Sequence, residues 1–165
     1  MPETRVAVRV RNARMRDAER IAALSGQLGY PTTAAKVRIR LHRFLKDRDH
    51  AIWVAEVQRG PVIGWIHVFV KRLLESDPEA EIGGLIIDAN FRGHGAGKLL
   101  VERAGEWAKT KHLKSVYLHS NIVRNEAHRF YQQLGYEIVK TQYAFRKFVS
   151  RRHANRLQRI NMQSP

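Results

Sequence analysis

Residues 82–98 read Ile-Gly-Gly-Leu-Ile-Ile-Asp-Ala-Asn-Phe-Arg-Gly-His-Gly-Ala-Gly-Lys. The apolar run Ile82–Ile87 reads as a strand. From Lys98 to Lys109 the chain is amphipathic, with Leu100, Ala104, Trp107 and Ala108 on one helical face. Arg92-Gly-His-Gly-Ala-Gly97 lies between them as a glycine-rich turn that opens a helix. The first N–H groups of a helix have no partner inside it, and the helix dipole adds positive character there, so such a turn suits phosphate oxygens. Two phosphate loops fail on spacing. A Walker-type loop needs a hydroxyl after Gly-Lys, and Gly97-Lys98 is followed by Leu99. A dinucleotide fingerprint needs G-x-G-x-x-G, and here Gly93, Gly95 and Gly97 alternate. What remains is Arg-x-x-Gly-x-Gly.

A second segment narrows the reading. In Asn125-Glu-Ala-His-Arg-Phe-Tyr-Gln-Gln-Leu-Gly-Tyr136, Ala127, Phe130, Tyr131 and Leu134 fall on one helix face. Asn125 is expected as the N-cap and Gly135 as the left-handed C-terminal residue. The two segments together, with the strand-like Ser115–His119 between them, resemble the coenzyme A pyrophosphate loop and the pantetheine-side helix of the GNAT superfamily of acyl-CoA-dependent N-acyltransferases. The resemblance covers residues 80–148 firmly and the N-terminal part loosely. It departs at Arg124, where the family often carries asparagine; Asn121 and Asn125 are the candidates to replace it.

The rest of the chain supplies the other elements. Val6–Val10 alternates like a strand, and Asp17–Leu28 has helical spacing. Gly29-Tyr30-Pro31 stops that helix, and Thr32 or Thr33 can cap a second one running to about Lys46. Ala51–Val57 and Val62–Val70 read as strands of a hairpin turned by Gln58-Arg59-Gly60-Pro61. Residues 71–80 read as a polar loop, and strand-like runs return near Glu137–Val139 and Gln142–Val149. The expected fold class is a mixed α/β sheet of order β-α-α-β-β-β-α-β-α-β-β, the order of the GNAT fold. The expected domain is residues 1–149, with 150–165 a basic tail that is either a frayed end or a helix docked on a second subunit, which would make a homodimer.

Composition sets limits. The chain has 165 residues, 44% of them apolar, enough for one ordinary core. It has no cysteine, which removes disulfides, thiolate nucleophiles and an acyl-cysteine intermediate and suits a cytoplasmic protein. The N-terminus is charged and unlike a signal peptide, and no run approaches a membrane span. The net charge is +15, of which the last twenty residues contribute six Lys/Arg and no acid. Such a field attracts polyanions, coenzyme A among them. No helix-turn-helix, aromatic RNA-binding or zinc pattern accompanies it, so nucleic acid is not the expected primary partner and no metal is expected.

Transfer of an acetyl group from a thioester to an amine needs a neutral amine, a stabilised oxyanion and a proton for the departing thiolate. The resemblance implies acetyl-CoA as cosubstrate. It places Arg92, Gly93, His94, Gly95, Ala96, Gly97 and Lys98 on the pyrophosphate, and a backbone N–H of Leu85, Ile86 or Ile87 on the oxyanion. It implies Tyr131 as the acid and Glu81, which opens the strand, as the base. Core packing is the alternative for Tyr131, and Glu79 or a water relay for Glu81. Glu75, Asp77, Glu79 and Glu81 put four acids in seven residues of a basic chain. They read either as a pocket for a cationic amine or as a solvated loop. The function expected is N-acetyl transfer to a small or protein amine. The alternative is a non-catalytic module that binds acyl-CoA or a polyanion as a regulator.

Overall fold

Apolar, β-branched stretches in the middle of the chain build a five-stranded sheet, and amphipathic helices cover both of its faces. The computed structural model describes residues 7–149. The chain divides into two compact units, Met1–Asn121 and Ile122–Pro165.

In the first unit the order is β1 (Val8–Asn12), α1 (Ala18–Gln27), α2 (Ala34–Phe44), β2 (His50–Val57), β3 (Val62–Leu73), β4 (Ser76–Ile87), α3 (Ala96–Thr110) and β5 (Val116–Leu118). The sheet runs β1-β2-β3-β4-β5. The first four strands are antiparallel, and β5 lies parallel to β4. Side chains alternate across each strand, so β2 and β3 each feed two cores. Ile52 and Val54 join Ile21, Leu24, Val37 and Leu41 of α1 and α2, with Phe44 and Trp65 packed against the cluster. On the other face α3 buries Leu100, Ala104 and Ala108, and its Trp107 meets Trp53 edge to face at 6.4 Å between centroids. Thr33 caps α2, its hydroxyl accepting the N–H of Lys36 at 3.3 Å.

The expected polar loop at 71–80 is instead a hairpin. β3 continues to Leu73 and β4 begins at Ser76, with Lys71 opposite Glu79. Charged residues read as a loop in one dimension. Across a ladder, opposite charges on paired strands support the pairing. Within β4 the register shifts, because His67 opposes Gly84 while Val68 opposes Ile82. Gly83 is therefore the extra residue of a β-bulge.

The second unit holds α4 (Asn125–Gln133). Its expected apolar face is the less exposed one, carrying Ala127, Phe130, Tyr131 and Leu134. The N-cap is Arg124 rather than Asn125, and no side chain caps the helix. The C-terminus ends as expected, with Gly135 at φ 86°. Gly135 N–H bonds the Gln132 carbonyl and Tyr136 N–H the Tyr131 carbonyl, both at 3.0 Å, the two bonds of a Schellman motif. That turn brings the Tyr136 ring to 5.6 Å from Tyr131. The two strands expected over 137–149 do not form among the described residues, where Ile138, Val139, Tyr143, Phe145 and Val149 are exposed. Alternation supplies a ribbon able to pair, but a strand exists only once another strand takes its N–H and C=O groups. The expected tail at 150–165 lies outside the described residues.

Candidate active site

The end of β4 and the start of α3 are held by a carboxylate that the sequence reading passed over. Asp88 follows β4 directly and is buried. Its Oδ1 accepts the N–H of Asn90 at 3.0 Å, capping a 3-10 turn at Ala89–Phe91. Its Oδ2 meets the Arg20 guanidinium, which also donates to the Val62 carbonyl at 2.7 Å. The N–H of Asn90 and then Arg20 hold the Asp88 carboxyl below the usual carboxylate range. Gln27 accepts the N–H of Ala89 at 3.1 Å. The approach to the glycine turn is thus tied to α1 at two points.

Gly93 and Gly95 adopt φ of 81° and 82°, a left-handed conformation that costs other residues roughly 1 kcal/mol or more. Gly95 is the N-cap of α3 and has no side chain to offer, and the first helical bond runs from Leu99 N–H to its carbonyl at 3.1 Å. Ala96, Gly97 and Lys98 therefore present N–H groups outside the helix ladder. No acid stands in that first turn. His94 Nδ1 lies 2.9 Å from the Arg92 carbonyl, tying its ring into the turn. The Arg92 Nε donates to the Ile87 carbonyl at 3.4 Å, joining the loop to the strand end.

Among the described residues, no strand pairs with the second edge of that strand end. β5 pairs with β4 only over Ala80–Ile82. The N–H of Asp88 points to β3, bonding the Ile63 carbonyl at 2.7 Å. Strand groups alternate in direction, so Ile86 also faces β3, while Leu85 and Ile87 face the edge that β5 leaves uncovered.

The other end of β4 is closed by charge. Lys71 Nζ lies 3.1 Å from Glu79 Oε1 and 3.0 Å from Glu81 Oε2, and 4.4 Å from the Tyr117 ring centroid. Burial disfavours its charge, but Glu81 and Glu79 outweigh that and hold the ammonium above its ordinary value. His119 Nδ1 is 3.3 Å from Glu81, Ser115 donates to Glu79 at 3.1 Å, and Lys114 reaches Asp77 at 3.4 Å. Of the four acids of the expected cluster, three are engaged by cations or a hydroxyl.

The first unit thus gathers Glu81, Leu85–Ile87 and Arg92–Lys98 along one strand and its following turn, with Asn121 in the segment after β5. Tyr131 and Asn125 belong to the second unit, Asn125 as the first residue of α4. Burial, then Tyr136, pushes the Tyr131 hydroxyl up to about 12, so it keeps its proton in neutral solution. The sequence reading also passed over Lys71 and a bonded pair, His50 and His67. In the sequence His67 is one polar residue within the apolar run Val62–Val70. Among the described residues no group of three or more His, Cys, Asp or Glu side chains could hold a metal ion. No helix of the described residues is long and apolar enough to cross a membrane.

Comparison with known proteins adds to this geometry. The Acetyltransferase (GNAT) family model matches residues 13–136. The N-acetylaspartate synthetase of Xenopus tropicalis is 32% identical over 96 residues, which are 58% of this chain and 34% of that protein. The chain thus spans about a third of the length of this relative. Among solved structures, a transcriptional regulator from Bacillus halodurans superposes with a TM-score of 0.76 at 24% identity, covering 86% of this chain and 100% of that one. The glucosamine-6-phosphate N-acetyltransferase of Arabidopsis thaliana superposes with 0.73 at 22% identity, covering 87% and 99%. At these identities the two structures speak for the fold.

Proposed function

Since the chain belongs to the GNAT acetyltransferase family, we propose that it moves the acetyl group of acetyl-CoA directly to a primary amine. The observation that carries this reading is the uncapped N-terminus of α3 behind Gly93 and Gly95, beside the uncovered edge at Leu85 and Ile87. Backbone N–H groups of residues 96–98 would take the pyrophosphate, with Arg92 and Lys98 adding charge. A strand-edge N–H of Leu85 or Ile87 would bond the thioester oxygen, and more strongly as it becomes an oxyanion. Asn121 and Asn125 are candidate partners for the pantetheine amides. Tyr131 donates to the departing thiolate. Residues 1–149 form the catalytic domain in this reading.

For the acceptor, the charges at 75–81 now favour a reading different from a cationic pocket. Lys71 and Lys114 offset the acids, and the chain carries +15 overall. An amine that also bears a carboxylate fits that balance, as does the aspartate in the name of the Xenopus tropicalis relative. The test is thiol release from acetyl-CoA with a panel of a polyamine, an aminoglycoside, a lysine peptide, aspartate and glutamate. Release that depends on one of these amines supports transfer, and binding of acetyl-CoA without release to any of them supports the regulatory module. Tyr131→Phe should lower kcat on the order of 10²-fold when chemistry limits the rate. Unchanged turnover would return Tyr131 to a packing role.

A further inference from the structure

On the α1/α2 face of the sheet, four rings from three elements stack beside the bulge of β4. Phe44 ends α2, His50 opens β2, and His67 and Phe69 lie on β3. Ring centroids are 4.5 Å apart for Phe44–His50, 4.8 Å for Phe44–His67 and 5.6 Å for His50–Phe69. Inside this stack His50 Nδ1 and His67 Nε2 are 2.9 Å apart, a hydrogen bond. Two imidazoles that bond directly must take complementary tautomers, one donating and one accepting. His50 turns its other nitrogen, Nε2, toward the exposed Asp47 carboxylate at 3.7 Å.

The free nitrogen of His67 looks the other way. A Cβ built on Gly83 would stand 3.5 Å from His67 Nδ1. Gly83 is the exposed bulge residue of β4, two positions from Glu81 and two from the uncovered edge that begins at Leu85. His67 Nδ1 therefore opens on the strand that carries the proposed thioester site. Glu81, the base expected from the sequence, already serves Lys71 and His119.

We propose that His67 takes the proton of the attacking ammonium and that His50 and Asp47 conduct a proton onward to the surface. This rests on the acetyl-transfer reading. In the resting state His67 carries its proton on Nε2 and donates it to His50 Nδ1. The amine proton passes to His67 Nδ1 as the Nε2 proton passes to His50 Nδ1. The amine lone pair is then free to form the N–C bond to the acetyl carbon, and the C–S bond breaks with the electron pair leaving on sulfur. The thiolate takes the Tyr131 proton of the acetyl-transfer reading, and the second nitrogen proton restores the Tyr131 hydroxyl. His50, now doubly protonated, releases its Nε2 proton beside Asp47. Once the products leave, His67 loses its Nδ1 proton to solvent as His50 takes one up on Nε2 and returns its Nδ1 proton to His67 Nε2, which restores the resting tautomers. His67 never holds both protons, which matters because burial, and then the neighbouring His50, pull its pKa down to about 4. A buried imidazole with so little affinity for a second proton works as a base only by passing one on. The other charges around the pair are balanced: Asp49 is bonded to Arg72 on β3, and Glu81 on β4 to Lys71.

Two measurements on the full chain decide this. Ring-nitrogen NMR of the histidines, from about pH 3 to pH 8, reads tautomers directly. The relay requires His67 protonated on Nε2 and bare on Nδ1 at neutral pH. A resting Nδ1–H on His67 overturns it, and this reading needs no variant and no acceptor. The second is acetyl transfer to the most active amine of the panel. His67→Asn should lower kcat about 10²-fold with the KM for acetyl-CoA unchanged. His67→Ala should regain rate on addition of imidazole, which a purely structural loss would not. His50→Phe keeps the stack and should lower kcat about tenfold while the acidic limb of the pH profile moves. Full activity of His67→Asn overturns the relay and leaves acetyl transfer standing. No transfer by the wild type to any amine overturns both.

Discussion

The two ends of β4 make opposite use of the same strand. At its start, over Ala80–Ile82, β4 is paired on both edges, and Lys71, Ser115 and His119 engage its carboxylates. At its finish, among the described residues, β3 is the strand that pairs with it, β5 does not reach Leu85–Ile87, and the following helix begins without a side-chain cap. The charged end looks functional in the sequence, yet its groups already have partners inside the protein. The finishing end has no acid in the first turn of α3, and it holds the N–H groups that stand outside the helix ladder. Backbone groups left without partners cost the fold stability, so a place where several of them meet is where a ligand gains most.

That contrast can be broken from either end. The largest effect is expected at the finish. Gly97→Val crowds the first turn of α3 and should weaken acetyl-CoA at least about 30-fold by calorimetry, a loss of about 2 kcal/mol. Retained affinity would remove the turn from the cofactor site. Next comes the anchor of the turn. Asp88→Ala deletes the cap on Asn90 and leaves Arg20 without its carboxylate, so thermal unfolding should register a loss of about 1–3 kcal/mol. Acetyl-CoA affinity should fall with it, since the approach to Gly93 loosens. Stability lost with full affinity would show the loop shape to be set by the glycines alone. The smallest effect is expected at the start. Neutralising Glu75, Asp77 and Glu79 together should change the KM of a cationic acceptor less than about threefold, because Lys71 and Lys114 already offset these charges. A large rise in KM at low salt would restore the cationic pocket.

Stability should also depend on His67. Its pKa is depressed from 6.5 to about 4, so the stability it contributes is complete above 6.5 and is lost as pH falls toward 4. Between pH 7 and pH 4 the wild type should lose roughly 4–8 °C more in Tm than His67→Phe, seen by circular dichroism. An equal loss in both would place the titrating group elsewhere.

What the sequence determined is whatever depends on a few neighbouring residues. Gly93, Gly95 and Gly135 announce left-handed turns because only glycine takes them freely. Thr33 marks a cap, and the spacing of Ala127, Phe130, Tyr131 and Leu134 marks a helix face. From these came the glycine loop, the helices and the family. Tertiary structure decided whatever depends on a partner distant in the chain. Lys71 joins Glu79 and Glu81 only because β3 and β4 form a hairpin. Arg20 finds Asp88 across sixty-eight positions of sequence. His50 meets His67 only through the β2–β3 register. Alternation over 137–149 described strands that no partner completed among the described residues. Turns and helices close their hydrogen bonds locally, whereas strands, ion pairs and bonded side chains are completed only by a second segment, and which segment arrives is settled by the packing of the whole sheet.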